Sequence, residues 1–475
     1  MADGVDLVFH GGKIVSDRDI IDASLAVRDG RIAAIGPANL MPEANEVVDA
    51  DGLHLLPGVI DPHVHFREPG MTHKEDWATG SQAAACGGVT TVFEMPNTSP
   101  PTDSVDALRA KAELAASKSI IDFGLYGLLG EHNLDQLKPM ADAGAIGTKL
   151  FLGNTTGSLA CPSDGAVLEG LEILAETGLR CSVHAESAPI VAWREAKLQA
   201  AGRNDPLAHV AARTDVVVLE ALNRICLFGE WTGARLHIVH ESCDRSLDFI
   251  RLWKNRGVDV TAETLPQYLL LAAEDMTRPG GEVMRMNPPI RERAQQKGLW
   301  AGLVDGTIDI IATDHAPHTL EEKAGNRIWD VACGFPGVEN CLALMLSQVK
   351  EGRLSLTDLV RLNAVAPAKA FGLSARKGTL TVGADADIVV IDLAEEETIA
   401  GSRLHSKGKV TPFEGMQTKG APVMTFVRGR LVAKNGEPTA DPGWGDWVKP
   451  AMAPGVPRNT NTTMKAVVER NNTPF

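Results

Sequence analysis

Short apolar runs alternate with longer segments of helical periodicity through the middle of the chain. Eight runs have the length and apolar content of buried strands, namely Val59–His65, Val89–Met95, Ile120–Tyr126, Ile146–Leu152, Arg180–His184, Leu236–His240, Val258–Thr264 and Ile308–Asp314. After the fourth run, Val167, Leu171 and Leu174 recur at helical spacing. Ser163 is placed to cap this helix and Gly178 to end it. Strand and helix alternating in this way predict right-handed βαβ units, and eight units over roughly 250 residues predict a (β/α)8 barrel of the TIM type.

Both ends of the chain have a different pattern from the barrel region. Short alternating strands with Gly turns occur in VDLVFHGGKIV near the amino end and again in GTLTVGADADIVVIDL and VMTFVRGRLVAKNG after the barrel. They predict one small β-sandwich domain built from residues 1–57 and 376–436, with the barrel at 58–375. Residues 437–475 are predicted to form an arm or tail. Trp444 and Trp447 indicate that the first part of this arm docks on the protein, whereas the alternative is a disordered tail.

Metal-type side chains stand at the ends of five of the predicted strands. His63 and His65 are two residues apart, so both imidazoles project from the same face of strand one. An isolated pair of this kind is equally well explained as two hydrogen-bonded core histidines. Here four more candidate ligands stand at the ends of strands four, five, six and eight, namely Lys149, His184, His240 and Asp314. Because catalytic groups of such barrels collect at the carboxyl ends of the strands, these residues predict a metal-dependent active site.

Composition narrows the classes of partner. A net charge of −15 argues against nucleic-acid binding. Seven cysteines without a CxxC pair are typical of a reducing compartment. The sequence contains neither a signal-peptide pattern nor an apolar run long enough to span a membrane, so we expect a cytoplasmic protein with no membrane partner.

Two stretches of the chain carry a family resemblance. HVHFREPGMTHKEDWATGSQAAACGGVTTVFEMPNTSPPT closely resembles the corresponding part of dihydroorotases within the cyclic-amide amidohydrolases, as do TDHAPHTLEEK and GFPGVEN. The resemblance extends from about Val5 to about Gly436. The HxH–Lys–His–His–Asp set is shared with hydantoinases, dihydropyrimidinases and allantoinases. Arg67 after HVHF and Asn97 in MPNT favour the dihydroorotases among these relatives.

The resemblance implies a binuclear metal site. Its ligands are implied to be His63, His65 and Asp314 on one ion and His184 and His240 on the other. Lys149 cannot be a ligand as an ammonium group, which has no lone pair, and the resemblance implies that carbon dioxide converts it to N6-carboxylysine, whose two oxygens bridge the ions. Imidazole and carboxylate ligands suit zinc, with manganese or cobalt as alternatives. Such ions lower the pKa of bound water to near 7, and Asp314 then serves as the catalytic general acid and base for ring opening.

The choice of substrate depends on the residues around the predicted metals. Dihydroorotate carries a carboxylate beside the scissile ring amide, and an arginine binds a carboxylate through two parallel hydrogen bonds. Arg67 and Asn97 are therefore predicted to bind that carboxylate. The alternative for Arg67 is an ordinary ion pair with Glu68 or Asp76.

Further substrate contacts follow from the resemblance alone. It implies a carboxylate contact from His318 and ring-amide contacts from Asn287 and the backbone around Pro336 and Gly337. An ordinary loop position is an equal alternative for Asn287. The loop GNTTGSLACPS after strand four is predicted to be a mobile lid with Thr155, Thr156 or Ser158 donating to the substrate, or else an exposed turn.

Two other histidines are not predicted to bind metal. His237 lies three residues before His240, so in a strand the two side chains point to opposite faces, and His237 is expected to face the helices. His315, next to Asp314, is expected to point away from the metals and to support them from behind at most.

Three functions remain open at this level. The first is a dihydroorotase of pyrimidine biosynthesis that interconverts dihydroorotate and N-carbamoyl-aspartate. The second is a hydrolase of a hydantoin, dihydropyrimidine, allantoin or another cyclic amide or imide. The third is a non-catalytic relative that acts as an assembly partner. A homodimer or homotetramer is expected in each case.

Overall fold

The computed structural model describes residues 4–153, 155–156 and 159–451. The amino-terminal segment forms seven short strands, which are β1 (Val5–His10), β2 (Lys13–Val15), β3 (Ile20–Asp22), β4 (Ser24–Arg28), β5 (Arg31–Gly36), β6 (Ala44–Asp49) and β7 (His54–Pro57). The next eight are β8 (Val59–Val64), β9 (Val89–Glu94), β10 (Asp122–Leu128), β11 (Gly147–Phe151), β12 (Arg180–His184), β13 (Arg235–Ile238), β14 (Val260–Thr264) and β15 (Ile310–Ile311). The last four are β16 (Ile388–Thr398), β17 (Gln417–Val427), β18 (Arg430–Lys434) and β19 (Glu437–Pro438).

Strands β8 to β15 form the predicted barrel. They lie side by side in chain order, and each pairs with the next in parallel. The circle is closed beyond the last strand by a parallel bridge between Val64 and His315 and by the His65 amide, which donates to the His315 carbonyl at 2.8 Å. The nearly closed eight-stranded parallel barrel is thus confirmed.

Helices connect the barrel strands, and most of them lie between consecutive strands in the chain. They are α1 (Trp77–Cys86), α2 (Val105–Lys118), α3 (Leu134–Ala143), α4 (Asp164–Thr177), α5 (Ala188–Ala200), α6 (Pro206–Ala212), α7 (Asp215–Thr232), α8 (Ser246–Asn255), α9 (Pro266–Leu270), α10 (Arg293–Val304), α11 (Cys341–Lys350), α12 (Leu356–Val360) and α13 (Ala366–Ala370). Single 3-10 turns lie at Ala38–Leu40, Ala273–Thr277, Gly281–Met284, Ile328–Asp330 and Gly401–Arg403, and a π-helical turn lies at Arg361–Val365. In the described residues, no helix is both long and apolar enough to cross a membrane.

Helix α4 follows the sequence pattern at both ends. The Ser163 hydroxyl accepts from the Ala166 amide, and Gly178 ends the helix in the left-handed conformation with φ 70°. Val167 and Leu171 are buried on the barrel side. The predicted cap, end and apolar face of this helix are confirmed.

The barrel strands are buried on both faces, as expected for a parallel sheet covered by helices. One face packs against the helices in the main apolar core. A separate cluster joins Ile60, Phe93 and Tyr126 to Phe371 from the segment after α13. The Phe371 ring lies edge-on to Phe93 at 5.1 Å and to Tyr126 at 6.0 Å between ring centroids. This packing holds the strands rigidly and leaves their carboxyl ends free to carry polar groups.

The flanking strands form two sheets. Their orders are β5-β4-β1-β6 and β19-β18-β17-β16-β7-β2-β3, so the second sheet combines strands from both ends of the chain. Phe9 of the first sheet and Phe426 of the second meet edge-on at 4.9 Å within a shared apolar cluster. Two sheets that face each other across one core are the β-sandwich expected from the sequence. The exact domain boundaries at 57/58, 375/376 and 436/437 stay a prediction.

The first part of the carboxyl-terminal arm docks on the barrel. The Phe123 amide donates to the Asp446 carbonyl at 3.0 Å, and the Val448 amide donates to the Phe123 carbonyl at 2.8 Å. The Trp444 indole donates to the Val427 carbonyl at 3.0 Å. These contacts fix the arm beside the start of β10 and the end of β17, which agrees with the expectation from the two tryptophans. Residues 452–475 lie outside the described part of the chain.

Candidate active site

A pocket opens at the carboxyl ends of the barrel strands. Its walls include all six predicted metal ligands, which are His63, His65, Lys149, His184, His240 and Asp314. They also include Arg67, Asn97 and Asn287 among the predicted substrate contacts, and Thr155 and Thr156 from the loop after β11. Side chains from five barrel strands therefore converge on one cavity, although they are spread over more than half of the sequence.

His63, His65 and Asp314 form the tightest group. The Asp314 Oδ1 atom lies 3.2 Å from His63 Nε2 and 3.1 Å from His65 Nε2. These ligand atoms lie within 4.8 Å of one another, a spacing at which one cation could bind all three. Burial lowers the pKa of His63 well below its usual range and the pKa of His65 to about 4. Both imidazoles are therefore neutral, which is the form that binds a metal.

His184 and His240 form a second group beside the first. The His184 Nδ1 and His240 Nε2 atoms are 2.9 Å apart, and the His240 ring centroid lies 5.3 Å from that of His63. Burial, with smaller contributions from His184 and Lys149, lowers the pKa of His240 well below its usual range. His184 Nε2 is engaged with Glu186 at 3.0 Å, so His184 Nδ1 carries the lone pair that faces His240, and a neutral imidazole nitrogen with a lone pair can bind a metal.

Lys149 is fully buried between the two groups. Its Nζ atom has no hydrogen-bond partner among the described residues and lies 5.1 Å from the centroid of the Phe151 ring. Burial lowers the pKa of Lys149 to about 8. An unpaired buried amine in this state is costly as an ammonium ion, and it is the group expected to accept carbon dioxide. The histidines and Asp314 around it form a donor set that fits divalent metal.

Each of three histidines has a hydrogen-bond partner behind it. His63 Nδ1 donates to Glu263 at 2.5 Å, His65 Nδ1 to the Asn97 amide oxygen at 2.8 Å, and His184 Nε2 to Glu186 at 3.0 Å. Metal-ligating histidines commonly donate their other N–H in this way, which fixes the tautomer and the ring orientation. The arrangement is therefore typical of a site built for metal.

Sequence analysis missed Glu186, Glu263 and the partner of Glu186, Arg213. Burial alone would raise the pKa of Glu186, but the Arg213 guanidinium, 2.5 Å away, lowers it to about 2. Glu263 stands near the end of β14, where a carboxylate inside an apolar strand was an available signal. Arg213 had no such signal, because its role depends on a contact across 27 residues.

The expectation that His237 faces the helices is wrong. The side chain is fully buried, and its Nε2 atom donates to Glu263 at 2.8 Å, beside His63. Strand β13 ends at Ile238 and His240 has φ 41°, so strict alternation of side chains does not continue to His240. His315 meets expectation more closely. Its Nδ1 atom accepts from the Gly337 amide at 3.2 Å, behind Asp314.

Arg67 is almost completely buried and has no carboxylate partner in the described residues. Its Nε donates to the Pro317 carbonyl at 3.3 Å, and one terminal nitrogen lies 3.4 Å from His318 Nε2. Neither alternative ion pair is formed, because Glu68 binds Lys118 at 2.5 Å and Asp76 binds Lys407 at 2.6 Å. Burial lowers the pKa of Arg67 to about 10, so it stays charged at neutral pH. A buried cation that lines a pocket without an anion is suited to bind an anionic ligand.

Asn97 and Asn287 differ in the hydrogen bonds that their side chains already make within the protein. Asn97 is engaged at both ends, since its oxygen accepts from His65 and its amide nitrogen donates to the Thr155 hydroxyl and the Thr156 carbonyl, both at 3.2 Å. The Asn287 oxygen is buried and has no partner among the described residues. Asn287 is therefore the better placed of the two to accept a hydrogen bond from a ligand.

Three further predicted contacts, His318, Pro336 and Gly337, do not line the pocket. Pro336 and Gly337 are absent from the pocket lining, where Cys333 and Gly334 of the same loop stand instead, and the Gly337 amide is used by His315. Direct ring contacts from Pro336 and Gly337 are therefore not supported by the geometry. His318 contacts Arg67 and approaches the Cys333 carbonyl at 3.1 Å, so it lies behind the guanidinium instead of lining the cavity. Ser158 of the predicted lid lies outside the described residues.

Comparisons with known proteins identify the family of the chain. Residues 54–432 match the amidohydrolase family. The chain is 36% identical to the allantoinase of Deinococcus radiodurans over 441 residues, 92% of this chain and 97% of that protein. It is 40% identical to the dihydroorotase of Halobacterium salinarum over 423 residues, 87% of this chain and 95% of that protein. The structure of the L-hydantoinase (dihydropyrimidinase) of Arthrobacter aurescens superposes with a TM-score of 0.91 at 36% identity and covers 94% of this chain and 100% of that one.

Proposed function

The chain belongs to the amidohydrolase family, and we propose that it opens the ring amide of a small cyclic substrate bearing a carboxylate, as dihydroorotate does. Family membership and these relatives make it a metal-dependent cyclic amidohydrolase. The choice of a carboxylate-bearing ring rests on one observation, which is the buried Arg67 guanidinium that lines the pocket without an anionic partner in the described chain.

The proposal includes a binuclear metal centre. His63, His65 and Asp314 would hold one ion, His184 and His240 the other, and carboxylated Lys149 would bridge them. The neutral imidazoles and the unpaired Lys149 amine support this assignment. Zinc suits these ligands best, with manganese or cobalt as alternatives. When bound, such ions supply a Lewis acid and a water of lowered pKa at neutral pH.

Asp314 is proposed as the catalytic acid and base. Its carboxylate lies in the pocket beside both histidines of the HxH pair, where it can take a proton from the attacking water. It then returns that proton to the ring nitrogen as the carbon–nitrogen bond breaks. The ring carbonyl becomes a carboxylate, and the former ring nitrogen becomes the terminal nitrogen of an N-carbamoyl group. The same residues can catalyse ring closure in reverse.

Arg67 would bind the substrate carboxylate, with His318 supporting the guanidinium from behind. The unpartnered oxygen of Asn287 would accept from a ring N–H. Asn97 remains a proposed substrate contact, although His65 and the loop after β11 already use both ends of its amide. Together these groups would orient the ring amide toward Asp314.

An uncharged ring is the second candidate. The structural relative is named a hydantoinase and one sequence relative an allantoinase, so the comparisons favour a hydantoin or allantoin-type ring over dihydroorotate. The occupied amide of Asn97 points the same way, because it leaves Arg67 with less help in binding an anion. The two candidate functions share the metal centre and differ only in whether the substrate has a carboxylate for Arg67 to bind.

A substrate panel distinguishes the two candidates. We expect wild-type kcat/KM to be highest for dihydroorotate, beside hydantoin, dihydrouracil and allantoin. Arg67→Met should lower kcat/KM for dihydroorotate far more than for dihydrouracil, since an unpaired carboxylate in a partly desolvated site costs about 2–5 kcal/mol, or tens to thousands of fold. Dihydrouracil is the internal control for misfolding. A neutral ring as the best substrate, or equal losses on both rings, would contradict the carboxylate assignment.

The loop after β11 provides a smaller prediction. The Thr155 hydroxyl accepts from Asn97, so its own proton is free to be donated into the pocket. The combined change Thr155→Val, Thr156→Val and Ser158→Ala should raise KM by about fivefold, the effect of one lost hydrogen bond of about 1 kcal/mol. Steady-state kinetics on the preferred substrate measures this. Unchanged KM and kcat would identify the loop as an ordinary turn.

Assembly into a homodimer or homotetramer is also proposed. Trp193 on α5 and Trp231 on α7 are 76% and 64% exposed, and large exposed apolar side chains often mark contacts between chains. Light scattering after size-exclusion chromatography would give the mass of the assembly.

A further inference from the structure

Glu263 connects the two groups of candidate metal ligands. One of its oxygens accepts from His63 Nδ1 at 2.5 Å and from the backbone amide of His240 at 3.1 Å. The other oxygen accepts from His237 Nε2 at 2.8 Å. Glu263 and His237 are fully buried, so water does not compete for these bonds. A single carboxylate thus touches one histidine of the first group and the main chain of one histidine of the second.

These contacts determine how His63 can bind a metal. A carboxylate that accepts from Nδ1 keeps the proton on that nitrogen and leaves the Nε2 lone pair directed at Asp314, 3.2 Å away. The bond to the His240 amide holds the residue that follows β13, where the backbone has the unusual φ of 41°. Without Glu263, both the tautomer of His63 and the path of the chain at His240 would be less well defined.

His237 in turn holds Glu263. Its Nδ1 atom pairs with the Thr261 hydroxyl at 2.8 Å, and its ring packs against Phe371 at 5.4 Å between ring centroids. With both nitrogens and one face of the ring engaged, His237 keeps the Glu263 carboxylate in one orientation. Thr261 and Glu263 lie on β14, and His237 lies on the adjacent β13, so the chain of contacts runs through the rigid wall of the barrel.

We propose that Glu263 and His237 are positioning residues that preorganise the metal centre by fixing His63 and His240. This inference rests on the proposed metal centre and not on the choice of substrate. Neither residue needs to touch the substrate, and the role predicts an effect on metal affinity that can be measured without turnover.

The test measures the zinc dissociation constant by competition with a chelator, together with thermal unfolding. Glu263→Ala should weaken zinc binding about 10–100-fold, the usual effect of removing such a partner. Glu263→Gln keeps an oxygen that accepts from His63 and should lose less. His237→Phe keeps the ring against Phe371 but removes the donor to Glu263, and should weaken zinc binding by about tenfold.

His405→Phe is the matched control. His405 forms a pair of the same length with Glu339, 2.8 Å, but that pair contacts none of the candidate ligands. The zinc affinity of His405→Phe should equal that of the wild type. If Glu263→Ala and His237→Phe do not fold, Thr261→Val removes only the hydroxyl behind His237 and should weaken zinc binding a few fold.

Two outcomes have different meanings. Folded variants of Glu263 and His237, or folded Thr261→Val in their place, with wild-type zinc affinity would overturn the positioning role. A wild-type protein that binds no zinc, manganese or cobalt would instead overturn the proposed metal centre. Because no substrate enters the measurement, an incorrect choice of ring affects neither result.

Discussion

Changing Lys149 to Ala is expected to abolish turnover and to empty at least one of the two proposed metal positions. The side chain is fully buried among four histidines and Asp314, and its amine has no partner in the described chain. Without the bridging carboxylate the two sites would lose a shared negative ligand, and the imidazoles alone would compensate poorly for two divalent charges. Metal content per folded subunit and kcat should therefore fall together.

Short carboxylic acids provide a direct check on the bridge. Acetate or propionate can enter the space left by the lysine, so added acid should restore part of the metal content and of the rate in Lys149→Ala. Lys111→Met is the control, because Lys111 is also a buried lysine, but its amine donates to the Met95 carbonyl at 2.9 Å and it does not line the pocket. It should lower stability without changing metal content per folded molecule or responding to acid. Normal metal content and rate in Lys149→Ala would rule out the bridge.

Replacing Asp314 with Ala should have an effect of similar size on the rate. The carboxylate both contacts His63 and His65 and is the proposed carrier of the proton to the leaving nitrogen. Loss of the proton transfer alone costs about 10²–10⁴-fold, and loss of a metal ligand adds to it. We expect kcat to fall by at least that factor on the best ring of the panel, with KM changed far less.

Asp61→Asn separates catalysis from the general effect of losing a buried carboxylate. Asp61 accepts at 2.5 Å from the hydroxyl of Thr313, the residue before Asp314, but it is absent from the pocket lining. Its substitution should cost less than about tenfold in kcat, as expected for a group without a proton-transfer role. Near-normal turnover of Asp314→Ala would remove Asp314 from the mechanism, and equal losses in both variants would make its contribution structural.

Local patterns in the sequence were sufficient for the barrel and for the positions of the candidate ligands. Each barrel strand is recognised by a run of five or seven residues that contains several apolar side chains, because strands of a parallel sheet are buried on both faces. In such a barrel all carboxyl ends meet at one rim, so a polar residue at the end of a run is assigned to the pocket without further information. His63, His65, Lys149, His184, His240 and Asp314 all line the pocket for this reason.

The same argument fails where the backbone departs from regular geometry. His240 follows the end of β13 with φ 41°, and Asp314 follows β15 with φ 47°. Side chains alternate between two faces only within a regular strand, so this rule could not relate the side-chain directions of His240 and Asp314 to those of nearby residues. His237 was misplaced for that reason. The apolar pattern predicts that side chains alternate along a strand, but it does not predict the residue at which the strand ends.

Pairing between distant residues was decided only by the tertiary structure. Glu263 meets His63 across 200 residues, and Gly337 donates to His315 instead of facing the cavity. Among the described residues Arg67 has no ion pair, since Lys118 binds Glu68 and Lys407 binds Asp76. The sequence by itself therefore determined the barrel and its candidate metal ligands, because these depend on hydrophobic burial repeated along the chain. Which groups are paired and which stay free depends on barrel closure, which sets the distances between atoms that the sequence leaves far apart.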